Sequence, residues 1–152
     1  MKTKTGKQDE KKAIKLGNAV EILMSSKYQF LEYSDWLAVG SPEHENIVVK
    51  NKIYTKGGNK NFGKMEFFIP YLNLAIECKC QNVSGTAREK IFYTIVNLSK
   101  QPFSSILLYQ GNYFDQLFVD YAQDFIDTYE PSNNKVKLMN INELLEFLKI
   151  ND

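Results

Sequence analysis

The hydrophobic positions along the chain change their period several times, and each change marks an element. In residues 7–27 (KQDEKKAIKLGNAVEILMSSK), Ile14, Ala19, Ile22 and Leu23 share one helical stripe with lysines opposite. That spacing predicts an amphipathic helix, interrupted only by Gly17. Residues 28–34 (YQFLEYS) alternate and predict a strand, and Gly40 to Asn46 (GSPEHEN) has loop composition. Residues 47–56 (IVVKNKIYTK) are rich in β-branched side chains and predict a strand that Gly57 and Gly58 break. Two more strands are predicted over 65–70 (MEFFIP) and 72–80 (LNLAIECKC), joined as a hairpin through Pro70–Asn73. Residues 86–100 predict a helix with Ser84 or Thr86 as N-cap and Ile91, Ile95 and Leu98 on its apolar side. A buried strand over 104–109, an amphipathic helix over 113–128, a strand over 135–139 and a short helix over 141–149 complete the pattern.

This order, with strands between helices and one hairpin, predicts an α/β fold with helices flanking a mixed central sheet. A length of 152 residues suits one domain spanning the whole chain, with residues 1–12 frayed. No apolar run reaches the 18 or more residues of a membrane span. The polar start, MKTKTGKQDEKK, lacks the apolar core of a signal peptide. The expectation is a cytoplasmic protein with no membrane partner.

Charge changes the picture once its distribution is considered. The net value is +1, which argues against a strongly basic nucleic-acid coat protein. Yet residues 1–109 hold 16 basic and 10 acidic side chains, and residues 110–152 hold 3 and 8. A basic front therefore precedes an acidic back. Residues 50–64 (KNKIYTKGGNKNFGK) contain five lysines and no acid, with Tyr54 and Phe62 interleaved. They form either a soluble surface loop or a DNA-facing hairpin in which Lys52, Lys56, Lys60 and Lys64 meet phosphates. Asn51, Asn59 and Asn61 are then placed to meet base edges.

The segment Ile76-Glu77-Cys78-Lys79-Cys80-Gln81 carries the chemistry. On a strand, Glu77, Lys79 and Gln81 point one way and Ile76, Cys78 and Cys80 the other. Two charges at alternate positions mark a solvated margin or a site, because unpaired buried charge is costly. Eleven residues before Glu77, Glu66 stands among apolar neighbours in the preceding strand. A hairpin brings the two carboxylates together, and a divalent cation relieves their repulsion. The pair Cys78 and Cys80 offers too few ligands for zinc, so these are expected to be core cysteines. His44, the sole histidine, is expected to be a loop residue. No Gly-rich phosphate loop or G-x-S-x-G elbow is present, which excludes an ordinary P-loop ATPase or serine hydrolase.

Glu66 followed by Glu77-Cys78-Lys79 resembles the bipartite motif of the PD-(D/E)xK phosphodiesterase superfamily, the restriction-endonuclease-like nucleases. The tract Glu77-Cys78-Lys79-Cys80-Gln81-Asn82-Val83-Ser84-Gly85-Thr86-Ala87-Arg88-Glu89-Lys90 resembles the E-x-K-x-Q, Gly-Ser/Thr turn and Glu-Lys helix of restriction-type members. The resemblance spans about residues 14–111, and the last third agrees in element order. Where the family has Pro-Asp this chain has Met65-Glu66, a ligand arm one methylene longer.

The resemblance implies a restriction-endonuclease-like three-layer α/β/α core. It also implies Mg²⁺, with Mn²⁺ able to substitute, held by Glu66, Glu77 and the Cys78 carbonyl. Lys79 is then the catalytic lysine. Gln81 is a further residue on the active face, and Glu21 on the first helix either reaches the metal waters or is a solvated glutamate. Ser84, Thr86, Arg88 and Lys90 are placed to hold the scissile strand near a helix N-terminus. The implied activity is DNA endonucleolysis leaving 3′-hydroxyl and 5′-phosphate ends, of restriction type and as a homodimer matching two-fold duplex symmetry. Two alternatives stand beside it: a structure-selective nuclease such as a junction resolvase or phage debranching nuclease, and a catalytically inactive DNA-binding or interaction module.

Overall fold

The computed structural model describes residues 15–55, 62–80, 87–111, 114–129 and 135–150. Helix α1 occupies residues 15–24. It is followed by β1 (Gln29–Glu32), α2 (Tyr33–Ala38), β2 (Ile47–Thr55), β3 (Phe62–Ile69) and β4 (Leu74–Cys80). Then come α3 (Ala87–Ser99), β5 (Ser104–Gln110), α4 (Gln116–Tyr129), β6 (Val136–Met139) and α5 (Ile141–Phe147).

The described strands form a six-stranded sheet in chain order, β1 to β6. β2–β3 and β3–β4 are antiparallel. β1–β2, β4–β5 and β5–β6 are parallel. The connections explain the senses. β3 turns into β4 through a 3₁₀ turn at Pro70–Leu72 and a left-handed Asn73 with φ of 49°. The three parallel joins need crossovers, which α2, α3 and α4 lie within.

Helices cover both faces. On one, Leu16, Val20 and Met24 of α1 and Leu144 and Leu145 of α5 pack with Val48, Phe67, Ile69, Leu74, Ile76, Cys78, Ile106 and Leu108. On the other, Trp36 of α2, Ile91, Ile95 and Leu98 of α3, and Phe118, Ala122 and Ile126 of α4 pack with Val49, Met65, Ala75, Leu107 and Val136. The fold is therefore the expected three-layer α/β/α arrangement around a mixed sheet. β5 sends Ile106 and Leu108 to one side and Leu107 to the other, buried on both faces as a central parallel strand must be.

Three expectations need correction. The strand predicted over 28–34 ends at Glu32, and Tyr33–Ala38 is helical. Trp36 fixes that turn: its indole is buried and its Nε1 donates to the Pro42 carbonyl at 2.8 Å. On α1 the stripe is Leu16, Val20 and Met24, with the expected Leu23 packed beside it, whereas Ala19 is exposed and Ile22 is 74% exposed. Both sets have helical spacing, and the sheet surface selects between them. β3 begins at Phe62 rather than residue 65, because it pairs with β2 as far as Thr55↔Phe62.

Candidate active site

The site begins at a break in the alternation of β3. Residues two apart on a strand should share a face. Met65 nevertheless joins the α2/α3/α4 side and Phe67 the α1/α5 side. Glu66 stands between them. The break crosses into β2, where Val49 and Tyr54, five apart, both serve the α2/α3/α4 side. The register pairs Lys50↔Phe67 and Lys52↔Met65 straddle Asn51 and Glu66. Asn51 has φ of 62°, a left-handed conformation that asparagine tolerates better than most residues. Its Nδ2 donates to Glu32 Oε2 at 3.1 Å.

The same point ends the regular pairing of β3 with β4. The pairs Ile69↔Leu74, Phe68↔Ala75 and Phe67↔Ile76 are in register. Beyond them, the Cys78 N–H donates to the Glu66 side chain, with 2.9 Å to Oε1. A carboxylate thus takes a backbone donor, which fixes its position beside residues 77–79. From the other direction α1 closes in at buried Gly17. A Cβ placed there would stand 3.1 Å from Glu66 Oε2.

The electrostatics follow from this placement. Burial pushes the Glu66 carboxyl above the ordinary range, while the Cys78 N–H bond and the Lys79 charge oppose it. Burial, then the Glu66 charge, pushes the Cys78 thiol up, so it remains a protonated core cysteine. Glu77 is 9% exposed, the only charged side chain in the buried class among the described residues. Burial and then the Glu77 charge push the Tyr54 phenol up to about 12. Glu77 and Lys79 lie opposite Leu107 and Tyr109 of β5 and share the face of Ala75. The charges of Glu66, Glu77 and Lys79 all bear on Cys78. The fold therefore brings these three expected residues together.

Glu21 is engaged by a lysine of β2. Its Oε1 lies 2.7 Å from the Lys50 ammonium, which also stands 3.8 Å from Glu32. The bond to Glu21 is the main cause that pushes Lys50 up. Among the lysines expected at DNA, Lys52 sits over the Tyr33 and Phe68 rings, 5.8 and 5.2 Å from their centroids. Lys64 and Lys90 are exposed, and so is His44 in its loop. Gln81, Ser84, Thr86, Lys56, Lys60, Asn59 and Asn61 lie outside the described residues, as do the side chains of Cys80 and Arg88. Gly17 borders the site without having been expected there, and Lys50, Asn51 and Tyr54, expected only within a DNA-facing segment, border it too. The one sequence signal was Gly17, an isolated glycine inside a helical pattern.

The donor set suits a hard cation. Two carboxylates from adjacent strands flank a backbone carbonyl, and the nearby sulfur is a protonated thiol. Among the described residues no three His, Cys, Asp or Glu side chains converge as a closed zinc cage would require. Mg²⁺ takes one or two carboxylates and completes its shell with water and phosphate.

A family model for the PD-(D/E)XK nuclease superfamily domain matches residues 10–152. The chain belongs to the PD-(D/E)XK nuclease superfamily. The match extends past residue 111 and takes in the C-terminal third, whose likeness in sequence lay only in element order. No match is found among curated proteins or among solved structures. Membership implies phosphodiesterase chemistry on nucleic acid, and nucleases of this superfamily generally use divalent metals. Among the described residues no helix is long and apolar enough to cross a membrane.

Proposed function

We propose that this nuclease domain is a Mg²⁺-dependent DNA endonuclease of restriction type, with Mn²⁺ able to substitute. The observation that carries the proposal is the fixed Glu66 carboxylate, bonded to the Cys78 amide beside buried Glu77 and Lys79. Glu66, Glu77 and the Cys78 carbonyl would hold the cation. Bound there, Mg²⁺ would supply Lewis-acid polarisation of the phosphodiester and a lowered pKa for a water.

The chain's own residues do the rest. Glu66 spends Oε1 on the Cys78 N–H and keeps Oε2 for the cation. Glu77, buried on the adjacent strand, presents the second carboxylate. Lys79 orients the attacking water and offsets charge that develops on the phosphoryl group. Exposed Lys64 and Lys90 stand ready for backbone phosphates. Gln81, Ser84, Thr86, Arg88, Lys56 and Lys60 join them in this proposal on sequence grounds, as does the restriction character, which rests on the tract after Lys79. Glu21 takes part only if its pairing with Lys50 opens. The proposal also holds that residues 1–152 make one cytoplasmic domain with one site, so that two strands of a duplex are cut by a homodimer.

Cleavage assays with Mg²⁺ or Mn²⁺ test this directly. Wild type should cut linear duplex into discrete fragments, and Glu77→Ala and Lys79→Ala should each lose about 10²-fold or more in rate. Plasmid, single-stranded and four-way-junction DNA all left intact by wild type would refute the nuclease proposal. Cutting confined to junctions would refute its restriction character.

A further inference from the structure

We infer that Gly17 is a positioning residue, whose missing side chain sets where Glu66 Oε2 rests and hence how tightly the site holds a divalent cation. This rests on the reading of Glu66 as a metal ligand. Glycine is a poor choice for a helix interior, where alanine is favoured. It lies between Leu16 and Val20, which are 6% and 1% exposed and bind α1 to the sheet. The helix therefore has little freedom to retreat. The carboxylate is equally confined, because Oε1 is held at 2.9 Å from the Cys78 nitrogen. A methyl group at 17 would come within 3.1 Å of Oε2, tighter than ordinary van der Waals contact. One of the two must move, and the end of the glutamate arm is the part able to swing.

The length of the Glu66 arm matters as well. An aspartate at 66 would withdraw the carboxylate by about 1.5 Å, one carbon–carbon bond. That withdrawal removes the conflict with a side chain at 17. Gly17 and the length of the Glu66 arm are thus matched, and altering both should harm the site less than altering Gly17 alone.

The test is a double-mutant cycle on the full chain: wild type, Gly17→Ala, Glu66→Asp and the double variant. The probe is Mn²⁺ alone, followed by isothermal titration and by the shift in Tm against an EDTA reference. Gly17→Ala should weaken Mn²⁺ binding about 10- to 100-fold, and the double variant should bind more tightly than Gly17→Ala. If Gly17→Ala does not fold, the double variant should, because it lacks the conflict. Wild-type affinity in Gly17→Ala, additivity in the cycle, or a double variant that also fails to fold would overturn the inference. A wild type that does not bind Mn²⁺ would instead overturn the reading of the site itself, and this inference with it.

Discussion

The two ends of the β3–β4 pair are built from the same two strands yet follow opposite rules. At the turn end, Ile69, Phe68 and Phe67 pair in register with Leu74, Ala75 and Ile76, and all six are buried apolar side chains. At the open end, a carboxylate bonds a main-chain amide, a second carboxylate is buried, and a lysine lies beside them. The first end satisfies its backbone through the ladder and buries surface at no electrostatic cost. The second buries charge, which disfavours folding. The contrast teaches that the regular end anchors the irregular one. The hairpin and its apolar floor hold Glu66 and Glu77 together although nothing favourable between two carboxylates would do so.

That contrast predicts a separation of effects. Ile76→Ala, at the fully buried regular end, should destabilise the fold by about 2–5 kcal/mol in urea unfolding. A smaller loss would mean that the regular end is not the anchor. Asn51 sets the break at the open end through its left-handed backbone. Asn51→Val should cost about 1–3 kcal/mol, while Asn51→Gly should be much milder. Equal losses would show that the Glu32 hydrogen bond, not the backbone, matters at this position. Smallest of the three, Lys50→Met should shift stability by no more than about 1 kcal/mol, because its partly exposed pairing with Glu21 is screened.

The acid response of Glu66 sharpens the comparison. Burial raises its carboxyl in the folded state, so the folded chain holds that proton more tightly than the unfolded chain. The contribution of Glu66 to stability should therefore fall as pH rises from the ordinary carboxylate range through the raised value. Glu66→Gln should lose that slope and be at least as stable as wild type near neutrality. Its amide oxygen still accepts the Cys78 N–H.

Much of this was legible in sequence, because strand and helix periods are local. The hairpin through Pro70–Asn73 and the apolar positions Ile91, Ile95 and Leu98 follow from spacing, and all three side chains are buried. So do Glu66, Glu77 and Lys79, whose meeting needs only a hairpin of that register. What was not legible depends on distant partners. Strict alternation places Met65 and Phe67 on one face, and only the left-handed Asn51 across the ladder shows why they part. The alternation of residues 28–34 runs past Glu32, where the strand ends, and the helix over Tyr33–Ala38 is fixed by an indole bond to Pro42. Glu21 is a candidate only through the family resemblance, and its pairing with Lys50 of β2 is visible only in the fold. Gly17 is noticeable as a breaker, but its purpose appears only when Glu66 is seen against it.

If the open end of β3–β4 gives up stability for metal binding, as proposed above, one measurement addresses both halves. Thermal unfolding of wild type and Glu66→Gln should be compared at neutral pH, in EDTA and across a Mn²⁺ titration. Wild type should gain stability with Mn²⁺, as a ligand bound only to the folded state requires. Glu66→Gln should match or exceed wild type in EDTA and gain almost nothing from Mn²⁺. A Glu66→Gln protein that gains as much from Mn²⁺ as wild type, or that unfolds well below it in EDTA, would contradict this exchange of stability for binding.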